Sequence, residues 1–169
     1  MTDKGFTDPS EQGYWRPLTQ LQRSMEAEIA QIYAEARIEG LKPSWVMELL
    51  RLHAHGPMTI TELAESVQRT HSAISQKVAA MRAAGLVRTQ PGADGRSKQV
   101  VLTAKTRRII GLLAAEWRAT EAAAAEIDAE LDYPLTRFVA GMEAALARTS
   151  FHDRIMRHLE QDPDWKPVT

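Results

Sequence analysis

Cysteine is absent from the 169 residues. That excludes a disulfide framework, a Cys-ligated zinc, an iron–sulfur cluster, a thiol nucleophile and a thiol redox switch. Long apolar runs are also missing: no stretch approaches the ~20 residues a membrane span needs, so no membrane partner is expected. The first ten residues, MTDKGFTDPS, are polar and hold no signal-peptide core, which makes the cytoplasm the expected compartment. A Gly-rich phosphate loop, a G-x-S-x-G elbow, an H-E-x-x-H pair and paired-carboxylate motifs are all lacking. No catalytic residue, metal or cofactor is assigned, and the expectation is a protein that is not an enzyme. What remains is 44% hydrophobic and 25% charged, enough to bury one core without staples.

The net charge of −1 hides an asymmetry. Between Arg51 and Ile110 stand ten Lys/Arg against only Glu62, Glu65 and Asp94, a net of +7, which leaves −8 for the rest. A basic centre between acidic ends suits a polyanion-binding module whose flanks serve another purpose. Chance clustering on a solvated surface gives the same count, so charge alone does not choose.

Apolar spacing then divides the chain. Leu18, Leu21, Met25, Ile29, Ile32 and Ala36 recur at three- and four-residue steps and predict one long helix, with Pro17 in its first turn and Gly40 as its stop. Pro43 opens a second helix with Trp45, Val46, Leu49, Leu50 and Leu52 inward, closed by Gly56-Pro57. Thr59-Ile60-Thr61-Glu62 is a capping-box pattern ahead of a short helix carrying Leu63, Ala64 and Val67. After a stop near Gln68-Arg69, Thr70 caps a helix whose Ile74, Val78 and Met81 share a face, ended by Gly85. Leu86–Gln90 and Gln99–Leu102 read as a hairpin around the turn cluster Pro91-Gly92-Ala93-Asp94-Gly95. Thr103 caps a long helix running to about Leu131. Asp132-Tyr133-Pro134 breaks it, and two amphipathic helices follow, bearing Leu135, Phe138, Val139, Met142 and Leu146, then Phe151, Ile155 and Leu159 behind Ser150.

Helix, short helix, tight turn, helix, hairpin is the winged helix-turn-helix order. The fold class expected is mainly α, with a small β-hairpin wing and long N- and C-terminal dimerisation helices. Its parts are an N-terminal tail and dimerisation helix over 1–40, a DNA-binding domain over 41–104 and dimerisation helices over 105–169. A helix of this kind fits the DNA major groove when its outer face is short and polar.

From Leu41 to Ile110 the chain resembles the MarR (multiple antibiotic resistance regulator) family of bacterial transcription factors. The resemblance is carried by Trp45, Val46, Leu49 and Leu52, then Gly56-Pro57-Met58-Thr59-Ile60-Thr61-Glu62-Leu63-Ala64. It continues through Gly85-Leu86-Val87-Arg88 and Asp94-Gly95-Arg96 to Val101-Leu102-Thr103. It implies a homodimer held by interlocked terminal helices, double-stranded DNA with a pseudo-palindromic operator as partner, and repression released by a small-molecule effector. It also implies that Arg96 enters the minor groove with Asp94 holding it; the bland reading of Arg96 is a solvated loop arginine. Two departures stand out. The family often has glycine where Thr106 stands, and often arginine where Gln76 stands, so the target sequence is not transferable from relatives.

The DNA-binding candidates are Arg69, Thr70, His71, Ser72, Ala73, Ser75, Gln76, Arg88, Asp94, Arg96 and Lys98. Gln76 suits a bidentate contact to adenine, and the serines suit bases or phosphates, although an ordinary polar helix surface looks the same. The first-turn amides from Thr70 to Ala73 suit a phosphate, and Arg69, Arg88 and Lys98 suit phosphate clamps rather than readers of sequence. In relatives, helices equivalent to those carrying Tyr33, Trp45, Leu49, His53 and Trp117 surround a pocket for small aromatic acids; the alternative is that these residues are simply dimer core. His53 and His55 do not share a helix face, which argues against a metal sensor. The other class of function is a winged-helix module for protein–protein assembly without DNA, which has no need of a basic wing tip.

Overall fold

The structure, a computed structural model, describes residues 8–11, 13–92 and 97–166. It divides into two compact units, Met1–Trp117 and Arg118–Thr169. Their longer helices and strands are those expected, with shifted ends; a single tight helical turn at Pro9–Glu11 is an addition.

In the first unit, α1 spans Arg16–Glu35 with Pro17 in its first turn. It stops before Gly40. Arg37 takes the left-handed conformation (φ 55°), while the Arg37 and Ile38 amides donate to the carbonyls of Ala34 (3.0 Å) and Tyr33 (2.8 Å). This closing motif satisfies two of the helix's orphan carbonyls and normally prefers glycine. Pro43 opens only a single tight turn, Pro43–Trp45, and α2 follows over Val46–His55. In α3, Ile60–Ser66, the capping box is complete: Thr59 Oγ1 accepts from the Glu62 amide (3.2 Å), and Glu62 Oε2 accepts from the Thr59 amide (2.7 Å). The Thr59 amide, and after it the Thr59 hydroxyl (2.9 Å), donate to Glu62 Oε2 and hold the Glu62 carboxyl below its ordinary pKa. The helix α4, His71–Ala83, has Thr70 as its cap.

Strands β1 (Val87–Pro91) and β2 (Lys98–Leu102) pair antiparallel in the register Val87↔Leu102 to Pro91↔Lys98. A third piece of backbone joins them. The Met58 and Val100 amides and carbonyls exchange hydrogen bonds of 3.2 and 2.7 Å, so the loop before α3 is stitched to the wing. The helix α5 spans Ala104–Glu130. Its entry is tied to the end of α4: the Thr103 amide and the Thr106 hydroxyl both donate to the Leu86 carbonyl, at 3.1 and 2.7 Å. Thr106 is fully buried.

One core unites these elements. It holds Tyr33 from α1, Leu49 and Leu52 from α2, Leu63 from α3, Ile74, Val78 and Met81 from α4, Leu86, Val100 and Leu102 from the wing, and Ile110 and Leu113 from α5. Burying such side chains stabilises by about 1.5–3 kcal/mol each before entropy is charged. Only Tyr33 of α1 is buried; Leu18, Leu21, Met25 and Ile32 lie open.

In the second unit, α6 spans Leu135–Arg148 and α7 spans Phe151–Leu159, and neither has a buried residue. Asp128 Oδ1 accepts from the Leu135 amide (2.6 Å) across the Asp132-Tyr133-Pro134 break. Arg154 donates to the carbonyls of Thr149 (3.1 Å) and Ala145 (3.0 Å), capping α6 from outside. Ser150 Oγ accepts from the Asp153 amide at the start of α7.

Candidate nucleic-acid interface

The turn between α3 and α4 is made by Gln68 in the left-handed conformation (φ 52°), with the Gln68 and Arg69 amides donating to Glu65 (3.1 Å) and Ala64 (2.9 Å). Ala64 is buried at this crossing, where a larger side chain would push the helices apart. The turn points α4 so that Ile74, Val78 and Met81 face the core. By the 3.6-residue repeat, Ser72 and Gln76 then lie opposite that face. His71, Ser72, Ala73 and Gln76 are exposed and Ser75 is half-buried. Thr70 Oγ1 accepts from the Ala73 amide, so that first-turn donor is already used.

Exposed basic side chains come before and after α4 in the chain. Arg69 at the turn, Arg88 on β1 and Lys98 on β2 are all exposed, and Lys98 sits at the last pair before the wing tip. The tip is entered through a 2.8 Å bond from the Gly92 amide to the Ser97 carbonyl. Asp94 and Arg96 lie outside the described residues.

Lys77 behaves differently from the charge count. Its ammonium donates to Glu48 Oε1 at 2.7 Å and to the Ser44 carbonyl at 2.6 Å, so it is spent inside the unit. Glu48 is only 1% exposed. Sequence reasoning passed over it, although position 48 shares the helical spacing of the buried Trp45 and Leu52; a carboxylate there signals a buried pair.

Comparison with known proteins follows the same outline. A protein-family profile described as HVO_A0114 matches residues 45–109. No curated protein sequence matches the chain. The Staphylococcus aureus MepR–DNA complex is similar with a TM-score of 0.58 at 16% identity, over 80% of this chain and 97% of that one. A transcriptional regulator of M. tuberculosis, MOSR, in complex with DNA gives 0.56 at 22% identity, over 80% and 99%. A MarR protein from Peptoclostridium difficile gives 0.54 at 14% identity, over 91% and 94%. The fold is the MarR-type winged helix.

Within this MarR-type fold four of the five effector candidates belong to or pack on the same core. Tyr33, Trp45 and Leu49 are buried in the core, and Trp117 packs against it half-exposed. His53 lines a hollow of about 110 Å³ with Leu52, Gly56, Pro57, Val101 and Arg107. Trp117 lines a separate, mostly apolar hollow of about 250 Å³ with Met47, Leu50, Arg51 and Ala54. Among the described residues no three His, Cys, Asp or Glu side chains converge as metal ligands would.

Proposed function

We propose that the chain is a homodimeric, sequence-specific DNA-binding transcriptional regulator that reads a pseudo-palindromic operator. The observation that carries this reading is α4, capped, angled by the Gln68 turn, and exposing Ser72 and Gln76, with Arg69 at that turn and Arg88 and Lys98 on the wing also exposed. Such a face combines short polar readers with phosphate-neutralising charge. That MepR and MOSR share the fold and are solved with DNA supports it. In this reading Thr70, His71, Ala73 and Ser75 contact backbone or base edges, and Arg96, held by Asp94, enters the minor groove.

Dimerisation is supported by apolar side chains left open. Leu21 of α1 is 56% exposed, Phe151 of α7 is 62% exposed, and Leu135, Phe138 and Val139 of α6 are also open. Water-facing apolar surface on three helices favours a large shared interface. Residues 1–40 and 105–169 serve that interface, and 41–104 serve DNA. Repression released by a small aromatic acid completes the proposal, with Tyr33, Trp45, Leu49, His53 and Trp117 as the residues that respond.

The test is a fluorescence-anisotropy titration of the duplex upstream of the gene against a scrambled duplex, across a salt series. A strong preference for the upstream duplex, with affinity falling as salt rises, is the expected result. Equal, weak binding to both would favour the assembly-module reading. Light scattering that returned 18.9 kDa at micromolar concentration would reject the dimer.

A further inference from the structure

Lys77 lies next to Gln76 on the helix proposed to read DNA, yet its ammonium is turned into the unit. It is bonded to Glu48 Oε1 and to the Ser44 carbonyl. The candidate cations among the described residues, Arg69, Arg88 and Lys98, are exposed. Resting on the reading of the chain as a DNA-binding regulator, we propose that Glu48 and Lys77 are a positioning pair. They set the rotation of α4 against α2, and so determine sequence specificity without touching DNA.

The physical case begins with direction. The contacts of Ile74, Val78 and Met81 with the core hold α4 down, but apolar burial is nearly indifferent to small rotations. Two charge-assisted bonds to fixed acceptors on the α2 side are not, because hydrogen bonds weaken steeply with distance and angle. A helix with its side chains is about 10–12 Å across, so a rotation of roughly 10° swings an outer atom by about 1 Å. That is enough to break a base-edge contact at Gln76, whose tolerance is a few tenths of an ångström.

Stability does not explain the pair. Glu48 is buried while the Lys77 side chain keeps 32% exposure, so the carboxylate bears most of the desolvation cost, and apolar replacements of buried ion pairs are often neutral or stabilising. Here the pairing is also incomplete: Glu48 Oε2 is buried without a hydrogen-bond partner among the described residues. An arrangement that is poor for stability and strongly directional is suited to holding a pose.

Removing one partner alone strands a charge and risks the fold, so the informative variant replaces both, Glu48→Leu with Lys77→Met. It is expected to keep or raise the melting temperature. It should lose about tenfold or more in affinity for the operator, while binding to random duplex and the salt slope stay those of the wild type. If Lys77 instead neutralised phosphate, the slope would fall by about one ion per lost contact, about two for a dimer, and random binding would weaken too. That result, or full operator affinity in the double variant, overturns the proposal.

A second arm needs no DNA. The cysteine-free chain accepts spin labels cleanly at Arg51→Cys on α2 and Ala79→Cys on α4, both exposed positions. In labelled chains diluted with unlabelled ones, the distance distribution should broaden or shift when the pair is replaced. An unchanged distribution overturns the positioning role. If the wild type prefers no duplex, the regulator reading fails, and the distances still judge the pair.

Discussion

The Tyr33 hydroxyl donates a 2.6 Å hydrogen bond to Glu116 Oε2, joining the end of α1 to the middle of α5. Tyr33 is buried and Glu116 half-buried, so a neutral phenol faces a carboxylate at the margin of the core. Burial first, then the bond to Glu116 and its charge, pushes the Tyr33 pKa well above the ordinary phenol range. Tyr33→Phe should cost about 1–2 kcal/mol of stability, as for a hydrogen bond to a charged group that is partly solvated. The pH dependence has a definite sign. The folded chain keeps the phenolic proton where the unfolded chain, with a pKa of about 10, begins to lose it. The stabilisation is therefore complete below about pH 9 and declines as the pH rises past about 10. Urea unfolding should show the gap between wild type and Tyr33→Phe constant at neutral pH and shrinking in alkali. A gap that grows in alkali contradicts the assignment.

Gln68 pays a backbone cost for the helix-turn-helix geometry. At φ 52° a non-glycine residue is disfavoured by about 1–2 kcal/mol, and glycine's extra unfolded-state entropy returns about 0.5–1 of that. Gln68→Gly should raise the thermal midpoint modestly, and the β-branched Gln68→Val should lower it. The reverse order in differential scanning calorimetry would mean that the turn relaxes in solution.

Thr106 is where the chain departs from its resemblance, and the structure gives the threonine a task. Its buried hydroxyl meets the Leu86 carbonyl at 2.7 Å, just where α4 gives way to the wing. Thr106→Ala should cost about 1 kcal/mol for the lost bond. Thr106→Gly should cost roughly 1 kcal/mol more, because it also weakens the first turns of α5. Denaturant midpoints falling in the order wild type, Ala, Gly are expected; a glycine variant as stable as wild type would leave the hydroxyl without energetic weight.

Gln76 is exposed on the outer face of α4. Gln76→Ala should lower operator affinity by about 1–3 kcal/mol and leave random-duplex affinity and the salt slope nearly unchanged. Equal losses on both duplexes would show that Gln76 does not read bases.

Much of both units is legible in the sequence, because the signals are local. Thr59 with Glu62, Thr70 with Ala73 and Ser150 with Asp153 each close a bond across three residues, so spacing and residue type suffice. Periodicity likewise placed Ile74, Val78 and Met81 inward and set Ser72 and Gln76 outward. Helix ends were less legible. Gly40 is the residue type a helix end prefers, but Arg37 adopts the left-handed conformation first, because packing of Tyr33 and Ile38 fixes where α1 must turn.

Tertiary structure alone decided which charges are free and which loops are joined. Lys77 counted as one more cation in a basic segment until Glu48, 29 positions away, was found to hold it. Met58 read as loop until its backbone paired with Val100, and Tyr33 was tied to Glu116 across 83 positions. The chain determined its elements by capping, turn chemistry and apolar period, all settled within about four residues. The partners of its buried polar groups depend on which surfaces the core brings together, and no local pattern encodes that choice.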